Sequence, residues 1–223
     1  MNSAILEVQL RPVPYAPSTG DRRQVNPQSD RRIVEQATLI RRALEAGVLL
    51  RLHPRSRISI DITVLADDGG RLSAAINASC LALVDAGIPM RDLVCACAVV
   101  APPGFTVANS SDGGSDGPSS PESTALIDPN RKEIQRYGYD APAHLPVAAM
   151  PQLGSVVLAQ CESRLGDVSA AAELLEAALV GCQSVFDIMR ASLTERAGRL
   201  ISAKGGNASV NVIFSGCEGE VQG

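Results

Sequence analysis

The sequence is poor in the residues on which many binding and catalytic sites depend. It has no Trp, its aromatic residues amount to 3% of 223 positions, and it contains only two histidines. Because base stacking needs aromatic side chains, recognition of single-stranded nucleic acid by stacking is not expected to dominate. The six cysteines form no pair of Cys-x-x-Cys motifs, so neither a metal site nor a disulfide framework is expected.

Positive charge and long apolar runs are also scarce. Lys and Arg number 20 against 24 Asp and Glu, which gives a net charge of −4. Since nonspecific binding of a polyanion needs a positive face, any contact with nucleic acid must come from a local basic patch. The longest apolar run, Leu93 to Ala101, is far shorter than the ~20 residues of a membrane-spanning helix. The N-terminus also lacks the pattern of a signal peptide. We therefore expect an intracellular protein that is not embedded in a membrane.

What is present is enough apolar material for a sizeable core. Hydrophobic residues make up 45% of the chain. Cys95 and Cys97 stand two apart within the apolar run, so in a strand they share one face. We expect both to be small buried hydrophobes in a reduced compartment.

The hydrophobic pattern predicts an α+β fold, because strands and helices are mixed without regular alternation. Strands are predicted at Ile5–Leu10, Ile58–Val64, Leu93–Ala101, Thr124–Asp128, Leu145–Met150 and Ser155–Cys161. Helices are predicted from a cap at Ser29 or Asp30 through Leu52, over Leu72–Asp85, and from Val168 to about Leu200. Gly181 is a candidate break in the last helix.

The domain organisation is expected to be simple. Residues 1–203 form one domain, interrupted by a low-complexity stretch at 104–123 that is rich in Ser, Gly and Pro. Such a composition cannot bury enough apolar surface to order itself, so we expect a disordered surface insertion. Residues 204–223 are expected to form a disordered tail.

Several motifs resemble the exosome branch of the RNase PH family. They are STGDRR (Ser18–Arg23), SDRRIVE (Ser29–Glu35), LHPRS (Leu52–Ser56), DDGGRLSAAINA (Asp67–Ala78), LVDAGIPMRDLVCACAV (Leu83–Val99) and LIDPNRKE (Leu126–Glu133). The block at Leu83–Val99 is the most specific, and it is most similar to the ring subunit that is catalytic in archaea. The resemblance implies an RNase PH-like fold (ribosomal protein S5 domain 2-like) with a mixed sheet packed against helices. The strands that precede Ile5 in this family are missing from the sequence.

The resemblance also implies partners and a setting. Members of this branch assemble with other RNase PH-like subunits into a six-membered ring, carry S1/KH cap subunits, and degrade or process RNA from its 3′ end, including rRNA maturation and mRNA turnover. The expected location is the nucleus, including the nucleolus, and the cytoplasm. No cofactor, metal or membrane is implied.

For the basic part of the site, the resemblance points to five candidate arginines. The family's RNA-binding pair aligns onto Arg31 and Arg32, in the first turn of a predicted helix where amide donors add positive potential. The family's phosphate-binding arginine aligns onto Leu72, with Arg71 next to it. Arg22 and Arg23 are further candidates for contact with RNA or phosphate.

For the catalytic part, the family's two aspartates align onto Gly138 and His144, so both carboxylates are absent. Three hypotheses follow. The preferred one is a noncatalytic RNA-binding ring subunit. The second is an active phosphate-dependent 3′–5′ exoribonuclease that uses Asp140 and Arg71 in a shifted site. The third is a degenerate paralogue that makes only protein–protein contacts.

Overall fold

The computed structural model describes residues 3–13, 30–101, 125–135, 143–161 and 168–203. The chain divides into two compact units, Met1–Val185 and Phe186–Gly223, and the second is described only as far as residue 203. The described elements are, in chain order, β1 (Ile5–Pro12), α1 (Arg31–Gly47), a 3-10 turn (Leu50–Leu52), β2 (Arg57–Val64), α2 (Arg71–Asp85), β3 (Cys95–Ala101), β4 (Leu126–Ile127), α3 (Arg131–Gln135), β5 (Ala143–Met150), β6 (Ser155–Ala159) and α4 (Val168–Ala203). The predicted α+β class is confirmed. The short helix α3 was not predicted.

The first two strands form a parallel two-stranded sheet that packs against α1. Leu6 and Leu10 of β1 are buried, and they pair with Ile58 and Ile62 of β2, which are half-buried. The opposite face is polar and carries exposed cross-strand ion pairs, among them Arg57 Nη1 to Glu7 Oε2 at 3.5 Å. The alternation of apolar and polar residues in both segments therefore predicted the two strands and their solvent-exposed face.

A four-stranded antiparallel sheet, in the order β4-β3-β5-β6, forms the centre of the larger unit. All seven residues of β3 are buried, as its uniformly apolar sequence predicted. Helix α2 packs on this strand through an unusual polar contact. The side-chain amide of Asn77 donates to the carbonyl of Ala96 at 2.9 Å and accepts from its N–H at 2.7 Å. This pairing fixes α2, and with it the residues at the start of α2, relative to the sheet.

Four buried cysteines lie in this core. Cys95 and Cys97 are both buried in β3, as expected from their spacing, and Cys80 and Cys182 are buried in α2 and α4. Burial raises the pKa of Cys80 to about 11 and the pKa values of Cys95 and Cys182 to about 12. These thiols are therefore neutral at physiological pH and act as small hydrophobes.

Helix α1 ends earlier than its sequence predicts. The predicted end at Leu52 is wrong, because the helix stops at Gly47 and the chain turns into an isolated bridge between Val48 and Met90. A Cβ at Gly47 would lie 2.7 Å from Cγ2 of Val94. The helix end is therefore set by close tertiary packing, which hydrophobic periodicity does not report. At the other end Asp30 is the cap, since its Oδ1 accepts from the N–H of Arg32 at 2.9 Å.

Helix α4 passes through Gly181 without a break. The expected break there is wrong, since the glycine serves close packing: a Cβ on it would lie 2.6 Å from Sγ of Cys97. The helix is also, by length and composition, the one described helix that could cross a membrane. That is weak evidence for a span, because core helices of water-soluble proteins meet the same criterion. The expected absence of a membrane-embedded segment stays a prediction.

The predicted insertion at 104–123 and the predicted tail at 204–223 lie outside the described residues. The extent of the single domain over residues 1–203 likewise stays a prediction.

Candidate functional site

A cleft of about 580 Å³ opens beside the first turns of α1 and α2. Its third wall comes from the antiparallel sheet, through residues of β3, β5 and the end of β6. The lining residues that carry polar chemistry are Arg32, Glu35, Gln36, Asp67, Arg71, Ser73, His144 and Gln160. These residues come from four separate stretches of sequence, so only the folded chain assembles the cleft.

The turn before α2 gives the cleft an exposed helix N-terminus. Gly69 and Gly70 have φ values of +116° and +32°, which favour glycine. A Cβ on Gly69 would also lie 2.6 Å from the carbonyl oxygen of Pro129. Gly70 caps α2 and has no side chain, so the cap residue makes no side-chain hydrogen bond to the amides of the first turn. Uncapped amides at the start of a helix form a ready site for an anion.

One carboxylate holds two arginines at this turn. Oδ2 of Asp67 lies 3.3 Å from Nη1 of Arg71 and 3.3 Å from Nη2 of Arg131, the first residue of α3. The Asp67 side chain is only 14% exposed, and its Oδ1 accepts from the N–H of Gly69 at 3.3 Å. A single carboxylate therefore faces two guanidinium groups. The carboxylate also fixes where Arg71 points.

The two adjacent arginines of α1 have different surroundings. Arg31 is 91% exposed, and its Nε donates to Oε1 of Glu35 at 2.7 Å. Arg32 lines the cleft instead. Consecutive residues on a helix point about 100° apart, so the pair cannot line one narrow cleft together. Arg32 therefore faces the cleft, whereas Arg31 pairs with Glu35 on the exposed surface.

Four buried polar atoms of the lining residues have no hydrogen-bond partner within the described part of the chain. They are Oε1 of Gln36, Nε of Arg71, Oγ of Ser73 and Oε1 of Gln160. Buried polar atoms are normally paired, and an unpaired one costs about 1–3 kcal/mol. The four atoms combine donor and acceptor chemistry, because Nε donates and the amide oxygens accept.

Comparison with known proteins gives this cleft a family context. Residues 2–89 match the RNase PH domain described as the 3′ exoribonuclease family, domain 1. The exosome complex component Rrp41 of Thermococcus onnurineus (strain NA1) is 35% identical over 206 residues, which cover 91% of this chain and 70% of that protein. The chain belongs to the RNase PH family. The Rrp41 of Thermococcus kodakarensis is similarly related, at 36% identity over 92% of this chain and 71% of the relative.

Other relatives of this RNase PH chain are longer than it is. The mouse exosome complex component RRP41 is 37% identical over 172 residues, or 77% of this chain, and the match spans 60% of that relative. Among solved structures, rice Rrp46 superposes with a TM-score of 0.65 at 22% identity, over 86% of this chain and 74% of the rice chain. The Archaeoglobus fulgidus exosome with RNA bound to the active site gives 0.58 at 20% identity, over 82% and 70%. These likenesses confirm the RNase PH-like fold.

The structure brings several candidates of the RNase PH resemblance together in this cleft, and their roles stay predictions. Arg32, Arg71 and His144 all line the one cleft. Leu72, which occupies the family's arginine position, also lines it but is buried. Arg31 lies in the same helical turn but is absent from the lining. Four other predicted residues, Arg22, Arg23, Gly138 and Asp140, lie outside the described residues.

Reasoning from sequence missed four members of this RNase PH site. Gln36 stands four residues from Arg32 on α1, the spacing at which helical side chains meet, so it could have been found. Asp67 precedes α2, so helical spacing does not predict its contact with Arg71. Gln160 and Arg131 carry no such signal. They reach the site through the sheet and through α3, and only the tertiary structure places them.

Proposed function

We propose that this RNase PH chain is a noncatalytic RNA-binding ring subunit of an RNA exosome. The observation that carries the proposal is the convergence of Arg32 and Arg71 at the uncapped start of α2. Its relatives carry the name of exosome components, which supports the assembly. The partners belong to the same proposal: RNase PH-like neighbours in a six-membered ring, S1/KH cap subunits and RNA, in the nucleus and the cytoplasm.

The chemistry of the cleft suits an RNA backbone better than a base. Guanidinium groups and free helix amides bind phosphate oxygens, and charge-assisted hydrogen bonds of this kind are among the strongest in proteins. The unpartnered amide oxygens of Gln36 and Gln160 can accept from ribose hydroxyls. The described lining contains no Phe, Tyr or Trp on which a base could stack. Binding of this kind would depend little on RNA sequence.

The described carboxylates of the cleft support a noncatalytic role. Glu35 is bound by Arg31, and Asp67 is bound by both Arg71 and Arg131. Each of these carboxylates therefore pairs with an arginine, an arrangement that suits positioning or neutralising the cation. His144 stands at the position of one family aspartate, and an imidazole does not replace a pair of carboxylates.

The test uses the chain co-purified with its ring partners and a single-stranded RNA, with and without inorganic phosphate. We expect RNA to crosslink to the wild-type chain, and most of this crosslink to be lost in Arg32→Gln/Arg71→Gln. We expect no phosphate-dependent release of nucleoside diphosphates by this subunit. The control Arg190→Gln/Arg199→Gln changes net charge equally and lies in the other unit.

Two outcomes would overturn the proposal. Nucleoside diphosphates that disappear in Asp140→Asn would establish the shifted phosphorolytic site. If the ring assembles and RNA binding is unchanged in Arg32→Gln/Arg71→Gln, the chain would instead be a subunit that makes only protein–protein contacts.

A further inference from the structure

A short stretch around the end of α1 is strongly basic in an otherwise acidic chain. Residues 41–57 contain five arginines and one glutamate, which gives this stretch a net charge of +4, whereas the whole chain has −4. Arg51, Arg55 and Arg57 follow the helix in this stretch. A local excess of this size creates a positive surface potential even on a negatively charged protein.

The fold adds a fourth arginine to these three. The N–H of Leu49 donates to the carbonyl of Pro89 at 3.0 Å, and the N–H of Arg91 donates to the carbonyl of Gly47 at 2.7 Å. The segments 47–49 and 89–91 therefore lie side by side, which brings Arg91 to the end of α1 that the other three arginines follow. We define Arg51, Arg55, Arg57 and Arg91 as the far-end patch, because it lies at the opposite end of α1 from the cleft.

The cations of the far-end patch are largely uncompensated. Arg51, Arg55 and Arg91 are exposed, and their side chains make no ion pair with any residue that the structure describes. Only Arg57 has a partner, Glu7 at 3.5 Å, and that pair is exposed. Neutralising the negative end of α1 does not explain the patch, since the last turn of that helix contains no basic residue.

The backbone of Arg55 adds an independent indication. Its φ is +61°, in the left-handed region where glycine is favoured and a residue with a Cβ is strained. An arginine at such a position bears a conformational cost, which the surrounding structure must offset. Strain of this kind is concentrated at binding surfaces.

We propose that the far-end patch is a second contact surface for the phosphate backbone of RNA, a proposal that rests on the function proposed for the cleft. Arg32 and Gly47 are 15 residues apart on α1, or about 22 Å at 1.5 Å per residue. A strand whose 3′ end lies in the cleft can run along α1 and reach the patch. Residues 41–57 contain no Phe, Tyr or Trp, so the contact is electrostatic and independent of RNA sequence.

The test measures RNA affinity of the chain in its ring assembly as a function of salt. The variant is Arg51→Gln/Arg55→Gln/Arg91→Gln, and the matched control is Arg190→Gln/Arg196→Gln/Arg199→Gln, which removes the same charge. Each lost phosphate contact lowers the slope of log K against log salt by about 0.7, so we expect a reduction of about 2. A long RNA should bind roughly tenfold more weakly at low salt, while a short RNA that fills only the cleft should bind as before.

Three results would overturn the proposal. The first is an unchanged salt slope for long RNA. The second is an equal loss in the control. The third is a loss of ring partners with RNA binding intact, which would make the patch a protein-contact surface. Failure of the cleft proposal would give a different result. The affinity for a short RNA would then be unchanged in Arg32→Gln/Arg71→Gln.

Discussion

The two ends of α1 hold arginines in opposite ways. At the cleft, Arg71 is bound to a nearly buried carboxylate, and Arg32 lies in a concave wall beside unpartnered polar atoms. At the far-end patch, Arg51, Arg55 and Arg91 are exposed and unpaired among the described residues. The difference shows that an arginine can serve RNA binding in two ways, by holding a phosphate at a fixed position or by attracting the RNA from a distance. Cations held in place give short-range contacts that resist salt, whereas free surface cations give long-range attraction that salt screens.

The largest effect is expected from removing the cleft arginines. In Arg32→Gln/Arg71→Gln, each lost charge-assisted hydrogen bond costs about 1.5–3 kcal/mol, so the affinity for a short RNA should fall at least tenfold. Fluorescence anisotropy at two salt concentrations measures it. The loss should persist at high salt; a loss confined to low salt would make the cleft resemble the far-end patch and break the comparison.

A smaller effect is expected from Asp67→Asn. The change removes a negative charge from the cleft, yet we expect RNA to bind several-fold more weakly, because Arg71 and Arg131 lose the group that positions them. Urea denaturation should show a loss of about 1–3 kcal/mol. The control Asp61→Asn, whose carboxylate is 64% exposed and 3.8 Å from Arg11, should change stability by less than about 0.5 kcal/mol. Tighter RNA binding by Asp67→Asn would show that charge alone governs the cleft.

At the far end, removing an acid should act in the opposite direction. Glu7→Gln frees Arg57, so we expect long RNA to bind about twofold more tightly at low salt, with no change at high salt. Filter binding with a long and a short RNA measures it. An equal gain for the short RNA would place the effect outside the far-end patch.

The smallest effect is expected from Arg31→Gln. The exposed pair with Glu35 is an i,i+4 helix pair worth about 0.3–0.5 kcal/mol, so RNA affinity should change less than twofold. Arg32→Gln, measured in the same assay, should lower the RNA affinity far more than Arg31→Gln does. Equal losses in the two variants would mean that both arginines contact RNA.

The fold was largely readable from the sequence wherever local pattern and burial agree. The apolar run at Leu93–Ala101 predicted a strand buried on both faces, which the structure has at Cys95–Ala101. The helix predicted from Leu72 after the Asp-Asp-Gly-Gly turn begins at Arg71. The end of α1 was not readable, because it depends on how closely Gly47 approaches Val94. The continuity of α4 at Gly181 depends in the same way on a cysteine 84 positions away in the sequence.

The candidate site was readable only in part. Family resemblance located Arg32, Arg71 and His144, because those positions fall in recognisable motifs. It could not reveal that Asp67 binds two arginines, since Arg131 comes from a helix 64 residues further along the chain. Resemblance therefore found the cations, and only the structure showed which of them are held in place.

The most direct test of the central claim is to map where the 3′ end of an RNA contacts this chain. A single-stranded RNA with a photo-crosslinkable 3′-terminal nucleotide would be bound to the assembled ring, irradiated, and the crosslinked peptides identified by mass spectrometry. The account predicts crosslinks within residues 32–36 and 69–73, and their loss in Arg32→Gln/Arg71→Gln. Crosslinks from the 3′ end only to other parts of the chain, or only to neighbouring subunits, would contradict it.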